Sequence, residues 1–225
     1  MKIEIQKSVV EKYPDYSMGI IYLSVKDIDC DSLKNKLKDA PKDFPPNKEA
    51  VEAKWRQIYS DMNASPKRIA SVASLWGLID RHGELQNINF FVDAYNYISI
   101  HHGIPMGGYD ITNLPEDNIT LRYASKGDKF QPLGLNQIEK IKDEREIVYY
   151  SGEQVICRYW NNKDSDISKI TDDTQEVVII FDYIGERDGL VSAMDELIAI
   201  ISDSCCVVTS SKSILNSEKL SDVVC

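Results

Sequence analysis

Residues 90–111 read FFVDAYNYISIHHGIPMGGYDI, and this stretch is the starting point for interpreting the rest of the chain. Phe90, Ala94 and Ile98 recur at helical spacing, so the segment from Asn87 to His102 is predicted to be a helix with one apolar face. The residues after it include a proline and two adjacent glycines, which are typical of a turn where the backbone approaches another group closely.

The flanking regions differ in their patterns. Upstream, Met18 to Val25 is predicted to be a buried strand. Two amphipathic helices follow, the second beginning at Ser65-Pro66 and closed by Gly83, and any helix or loop from Lys34 must end before Pro45-Pro46. Downstream, strands are predicted in several short β-branched runs: Ile119 to Ala124, Glu146 to Tyr150, Gln154 to Tyr159 and Glu176 to Ile184. A last helix is expected from Glu186 to Ser202, before a strand-like CCVVT.

The length and composition fit one globular unit. The chain has 225 residues, of which 43% are hydrophobic and 28% charged, as in average globular proteins. We expect one domain over residues 1–210, with an N-terminal helical region at about 47–82, and a polar, loosely held tail over residues 211–225.

Charge and targeting signals restrict the partners. A net charge of −10 repels an extended nucleic-acid backbone, so we expect no DNA partner and only local RNA contact. The densest basic patch contains Lys54, Arg56, Lys67 and Arg68, and a solvated helix face is its simpler interpretation. The first residues lack the apolar core of a signal peptide, and no stretch approaches a membrane helix, so we expect a cytoplasmic protein without a membrane partner.

Familiar signatures of cofactors and catalysis are missing from the sequence. It contains no P-loop, dinucleotide-binding, serine-hydrolase or zinc-protease motif, so we expect no cofactor. The five cysteines form no C-x-x-C pair. His101 and His102 are predicted to lie on different helix faces, which does not suit joint metal chelation, so no metal site is expected.

Three segments resemble one known family. Residues 90–111 resemble the helix, G-x-P turn and aromatic-Asp pair of the B3/B4 domain, the editing module of the phenylalanyl-tRNA synthetase beta subunit. Residues 155–174, VICRYWNNKDSDISKITDDT, are similar to its freestanding members, and ITLRYASKGDKFQPLG at residues 119–134 resembles the strand pair between these two motifs. With the upstream helices, the resemblance covers roughly residues 10–205.

This resemblance implies both a fold and an activity. The fold is α+β, with β-sheets of unusual topology packed against helices in layers. In the synthetase, the domain hydrolyses tyrosine wrongly attached to the phenylalanine tRNA, because binding alone discriminates weakly between similar side chains. The implied partner is the aminoacylated 3′ end of a tRNA, and whether a synthetase also binds stays open.

The resemblance also suggests roles for individual residues. Asn96 corresponds to a pocket asparagine, and we expect it to act with backbone N–H groups around Gly107 and Gly108 on the ester and its attacking water. Lys163 aligns best with a glutamate that recognises the tyrosine hydroxyl in the synthetase, so a different amino acid could be the target. The substrate-binding candidates are Tyr109, Asp110, Arg122, Arg158, Trp160, Asn161, Ser165, Lys169 and Thr171.

Alternatives to catalysis remain open. Each of these residues also has a purely structural interpretation, such as an ion pair for Arg122 and Arg158 or a turn for Thr171 and Thr174. A non-catalytic module that binds amino acids or tRNA ends, or a hydrolase of small esters, would fit the same sequence. The editing hypothesis requires a cavity between the Asn96 helix and the end of the strand before Trp160.

Overall fold

The fold is described by a computed structural model, in which residues 1–37, 44–45 and 47–224 are placed well enough to describe. The expected end of a helix or loop before Pro45-Pro46 therefore lies partly outside the described residues. The described part contains six α-helices: α1 (Lys7–Lys12), α2 (Cys30–Leu37), α3 (Lys48–Asp61), α4 (Ser71–His82), α5 (Phe90–His102) and α6 (Arg187–Ser202).

Two β-sheets accompany the helices. Twelve strands are formed by the described residues: β1 (Lys2–Ile5), β2 (Tyr16–Lys26), β3 (Met106–Asp110), β4 (Asn118–Tyr123), β5 (Lys129–Phe130), β6 (Glu139–Lys140), β7 (Ile147–Ser151), β8 (Gln154–Arg158), β9 (Lys163–Asp164), β10 (Glu176–Ile184), β11 (Cys206–Leu215) and β12 (Ser221–Val223). The large sheet has the order β12-β1-β4-β7-β8-β5-β6, with β9 paired to β8, and the small sheet has the order β11-β2-β10-β3. The fold is α+β, as expected.

Side chains alternate between the two faces of the small sheet along β2 and β10, and each face packs against a separate hydrophobic core. On β2, Met18 and Ile20 point into a first core, and Ile21 and Leu23 point into a second. The first core lies between the two sheets and is closed by α1, α3 and α4. The second lies between the small sheet and helices α2, α5 and α6. Because both faces of the small sheet are covered, its central strands are almost continuously apolar.

Most predicted elements are confirmed, with shifts at their ends. The helix predicted from Asn87 begins at Phe90, because the Asn89 side chain caps it by accepting from the backbone N–H of Val92. The second upstream helix begins at Ser71 rather than at Ser65-Pro66. Residues 65–70 instead form a turn and an extended link, in which the N–H of Arg68 donates to the carbonyl of Ser65.

The expectation of a loosely held tail after Ser210 is wrong. Strand β11 continues to Leu215 along β2, and β12 pairs with β1, where Ile3 lies opposite Asp222. Leu215 and Val224 are buried in the first core. The polar residues in this segment alternate with core residues, so a polar composition here reflects an edge strand with one solvated face.

One further finding concerns membranes. Within the described ranges, every helix is too short or too polar to cross a bilayer.

Candidate functional site

The free edge of β3 is the first component of the site. The backbone N–H of Asp110 donates to the carbonyl of Ser168 at 3.0 Å, and the hydroxyl of Ser71 donates to the carbonyl of Met106 at 3.5 Å. Ser168 and Ser71 therefore lie on one edge of β3, and β10 pairs with the opposite edge. Because backbone groups alternate in direction along an antiparallel strand, the N–H of Gly108 also points to this free edge.

Gly107 has the opposite orientation. The carbonyl of Pro105 accepts from Asp182 on β10 at 2.9 Å, and Gly107, two residues later, faces β10 in the same way. Its N–H is therefore committed to the sheet. The expectation that both glycines offer N–H groups to a substrate is corrected: only Gly108 has the required direction.

The side chains of Ile170 and Tyr95 leave no room for a side chain at Gly108. A Cβ atom added to Gly108 would lie 2.6 Å from Cδ1 of Ile170 and 2.9 Å from Cε1 of Tyr95, closer than carbon atoms pack. A Cβ atom on Gly107 would meet only Tyr109, at 3.6 Å from the phenol oxygen. The requirement for glycine is therefore steric at Gly108, where the backbone lies directly against Tyr95 of α5.

A carboxylate that the sequence analysis overlooked lies beside these groups. Asp164 lies opposite Cys157 in the pairing of β9 with β8, so both side chains are on one face. Lys163 points to the other face, where its Nζ lies 3.3 Å from Oε1 of Glu139. The carboxylate on the Cys157 face of β9 is thus Asp164, and the alternation of side chains along β9 is the signal that could have identified it.

Asp164 is exposed, although its neighbours are buried. Burial is the main cause of the raised pKa of the Tyr95 phenol, and the charge of Asp164 is the next. Burial, then the thiol of Cys157, then Asp164 raise the pKa of Tyr109. Burial raises the pKa of the Asp164 carboxyl group as well, although a hydrogen bond from the Cys157 thiol acts in the opposite direction. Asp164 therefore lies at the boundary between solvent and the buried rings. We call Tyr95, Gly108, Asp164 and Ser168 the edge site.

Ser168 contributes a hydroxyl without a partner. Its side chain is buried, and within the described part of the chain its Oγ makes no hydrogen bond. Buried hydroxyl groups are normally satisfied, so this one is an unusual unpaired polar group beneath the edge site. Asn96 follows Tyr95 on α5, is half-buried, and likewise makes no side-chain hydrogen bond to any described residue. Its amide is therefore available.

Several predicted substrate-binding residues have partners inside the protein. Asp110 is buried and accepts from the hydroxyl groups of Thr112 at 2.6 Å and Thr174 at 2.7 Å. The hydroxyl of Thr174 in turn accepts from the backbone N–H of Thr171 at 3.0 Å. These contacts join β3 to the loop before β10 and fix the rim of the edge site.

The two predicted arginines are held in ion pairs. Arg158 makes two bonds of 2.8 Å to the carboxylate of Glu146 and a third, of 2.9 Å, to Glu139. Arg122 pairs with Asp128 at 2.9 Å, and its guanidinium lies 3.8 Å from the centroid of the Tyr150 ring. Both cations are already neutralised, which supports their structural interpretation.

Trp160 and Asn161 lie in the core. Trp160 is 0% exposed, and its ring packs edge-on against Tyr13, Tyr16 and Trp55. Its indole N–H and the amide of Asn161 donate to Asp182. Trp160 and Asn161 therefore do not line an open cavity, and an editing reaction would have to use the groups at β3 and β9 instead of the expected space beside Trp160.

The two remaining predicted residues also have local partners. The buried hydroxyl of Ser165 donates to the carbonyl of Gln131 at 2.9 Å, which joins the β9 segment to the loop after β5. The exposed ammonium of Lys169 pairs with Asp166 at 2.9 Å. Neither side chain reaches Gly108 through a contact of its own.

The two adjacent histidines are closer than expected. The ligand atoms of His101, His102 and Glu196 all lie within 4.8 Å of one another, and Nε2 of His102 is 2.7 Å from Oε2 of Glu196. Glu196 on the neighbouring helix α6 bonds His102, and the absence of joint chelation by the two histidines stays a prediction. The bond between His102 and Glu196 joins the C-terminal end of α5 to the middle of α6.

Comparison with known proteins identifies a family. The model of the family described as the B3/4 domain matches residues 54–206. The crystal structure of an N-terminal fragment of the phenylalanyl-tRNA synthetase beta subunit from Pyrococcus horikoshii is similar, with a TM-score of 0.47 and 14% identity. That alignment covers 94% of this chain and 49% of the other, so this chain spans about half of that fragment. No curated protein sequence matches the chain.

Proposed function

The chain belongs to the B3/4 domain family, and on that premise we propose that it edits aminoacyl-tRNA in trans by hydrolysing the ester of a mischarged tRNA. The observation that carries this proposal is the exposed residue Asp164: after burial, its charge is the next cause of the raised pKa of Tyr95, the side chain that packs against the backbone of Gly108. Every aminoacyl ester carries an α-ammonium group and a carbonyl oxygen. An anionic group and a backbone N–H donor are the complementary partners for these two groups.

The chemistry required is modest. A water adds to the ester carbonyl carbon, the bond to the ribose oxygen breaks, and that oxygen leaves with a proton, which yields a free amino acid and an uncharged tRNA. Gly108 donates its N–H to the oxyanion that forms. Asp164 holds the ammonium group, and the amide of Asn96 orients the water. No residue needs to form a covalent bond to the substrate.

A kinetic comparison tests the role of Asp164. A panel of tRNAs mischarged with labelled amino acids is incubated with the wild-type protein and with Asp164→Asn. We expect at least one species to be hydrolysed faster than in buffer, and Asp164→Asn to raise its KM about tenfold, because a charge-assisted bond contributes about 1.5–3 kcal/mol. Asp173→Asn, at an exposed position in the same region, is the matched control.

Two results would contradict the proposal. If every mischarged tRNA decays at the rate seen in buffer, the chain has no editing activity. If Asp164→Asn and Asp173→Asn behave alike while hydrolysis persists, the reaction occurs at another site.

A second candidate function is a non-catalytic module that binds the tRNA end or an amino acid. The observation that favours it is Gly107, whose N–H is committed to β10 and leaves one backbone donor where two were expected. Binding of a non-hydrolysable amide of an aminoacyl adenosine, without turnover of the corresponding ester, would support this function over editing.

A further inference from the structure

A cavity of about 430 Å³ lies between α3 and α4, and the predicted basic patch forms part of its lining. Two arginines, Arg56 and Arg68, line it together with the hydroxyl groups of Ser60 and Ser65 and the carboxylate of Glu52, while Ile69 and Ala73 are among its apolar residues. We call this cavity the basic pocket. A cavity with cationic and hydroxyl groups on an apolar floor fits a ligand that carries an anionic group.

Arg68 is the central cation of the basic pocket. It is half-buried, its Nη1 donates to the amide oxygen of Asn162 at 3.1 Å, and its guanidinium lies 4.7 Å from the centroid of the Tyr159 ring. No carboxylate forms an ion pair with it among the residues that the structure describes. In a chain of net charge −10, a half-buried guanidinium without an acidic partner is an exception.

The second arginine is only weakly paired. Arg56 is 77% exposed and its Nη2 lies 3.9 Å from Glu52, a contact of little energy on a surface. Glu52 also lines the pocket, so an anionic ligand would draw Arg56 away from it. The first turn of α4 adds to the positive potential, because Ala70 at its N-cap leaves the N–H groups without a side-chain acceptor.

The basic pocket and the edge site share their connecting residues. The side chain of Asn162 bonds both Arg68 and the carbonyl of Ile69, the latter at 2.7 Å, and Asp164 follows two residues later. On the other side, Ser71 bonds the carbonyl of Met106, two residues before Gly108. Short stretches of backbone on both sides therefore connect residues 68–71, next to the basic pocket, with the edge site.

We propose that the basic pocket binds a phosphodiester group of a single-stranded RNA 3′ end, whose terminal ester reaches the edge site. This inference rests on the proposed function and adds the contact that holds the RNA. It explains how so acidic a chain binds RNA: Arg68 and Arg56 contact one phosphate locally, and the rest of the RNA stays away from the acidic surface.

The test measures the binding of a labelled single-stranded RNA that ends in CCA, over a range of salt concentrations. Arg56→Ala with Arg68→Gln is expected to weaken binding about tenfold or more, and to reduce the slope of log K against log salt by about one. Inorganic phosphate should compete with the RNA at the same residues. Lys126→Ala with Lys129→Ala removes two exposed charges elsewhere and should change neither quantity.

Folding and catalysis are checked separately. Arg56→Ala alone affects an exposed side chain, and Arg68→Lys keeps the charge, so both should fold and give intermediate affinities. Hydrolysis of an aminoacyl adenosine without any phosphate should be unchanged in the double variant. Equal RNA affinity in the wild type, the double arginine variant and the lysine control would show that the basic pocket does not bind RNA, even if the small ester is hydrolysed. Failure of the wild type to hydrolyse that ester would instead contradict the proposed function.

Discussion

The indole N–H of Trp160 donates a hydrogen bond of 3.0 Å to the carboxylate of Asp182, in the core between the two sheets. The same carboxylate accepts from the hydroxyl groups of Tyr16 at 2.6 Å and Tyr149 at 2.5 Å, and from the amide of Asn161 at 3.1 Å. Asp182 therefore joins β2, β7 and the segment after β8 to its own strand, β10. Four donors satisfy a carboxylate that is only 2% exposed.

Removing this carboxylate should destabilise the protein strongly. Asp182→Ala leaves a cavity and several buried donors without an acceptor, so we expect the free energy of unfolding to fall by about 3 kcal/mol or more. Tyr16→Phe removes one donor and should cost about 1 kcal/mol. Urea unfolding measures both. A loss in Asp182→Ala no larger than that of an exposed control, Asp173→Ala, would show that the network is not stabilising.

The same residue predicts a pH dependence. Burial raises the pKa of Asp182, although the hydrogen bonds from Tyr149, Tyr16, Asn161 and Trp160 act in the opposite direction. The carboxyl group of Asp182 thus binds a proton more readily in the folded protein than in the unfolded chain. The stability it contributes is full below the ordinary aspartate pKa of about 3.9 and declines as pH rises through the higher folded value.

The measurement compares wild type with Asp182→Asn, which cannot titrate. Their difference in unfolding free energy, wild type minus variant, should fall as pH rises from about 4. The other acidic groups cancel in this difference. A difference that grows with pH would mean that the hydrogen bonds outweigh burial and that the folded pKa is lowered.

The sequence predicted the elements whose patterns are local. Strand β10 was predicted at its observed bounds, because its β-branched run is continuous and buried on both faces. Helix α6 differs from its prediction by one residue. The helix start at Ser65-Pro66 was wrong because good capping residues do not require a helix to begin there, and the turn at 65–70 instead brings Arg68 to Asn162.

The site was harder to predict because its contacts are distant in sequence. Trp160 and Asn161 look like pocket residues beside Asp164, but their partner, Asp182, lies on another strand and draws both into the core. Asp164 was missed since an alignment of letters does not show which face of a strand a side chain occupies. The basic patch was found in the sequence, whereas the cavity beneath it depends on how α3 and α4 pack.

Arg158 provides a test of a structural assignment against a functional one. Its bidentate pair with Glu146, which is 1% exposed, cannot be reproduced by a lysine, so Arg158→Lys should lower the unfolding free energy by about 2 kcal/mol. Arg145→Lys is a matched control, because Arg145 makes a similar pair with Asp143 on the surface, and its loss of stability should be much smaller. At a temperature where both variants are folded, RNA affinity should equal that of the wild type. A selective loss of RNA binding in Arg158→Lys would restore Arg158 as a substrate contact.

The adjacent glycines of β3 allow the sharpest test of the edge site, because one methyl group is added at neighbouring positions. In Gly108→Ala the new Cβ would lie 2.6 Å from Ile170 and 2.9 Å from Tyr95, so we expect a loss of about 1–3 kcal/mol in stability as these side chains shift. In Gly107→Ala the nearest atom is 3.6 Å away, an ordinary contact, and stability should change little. Hydrolysis, or binding of the aminoacyl adenosine amide, should fall in Gly108→Ala well below its level in Gly107→Ala when both proteins are folded. Equal activity in the two variants would show that the ester does not approach the free edge of β3, and a greater loss in Gly107→Ala would place the substrate on the opposite face of the strand, beside Tyr109.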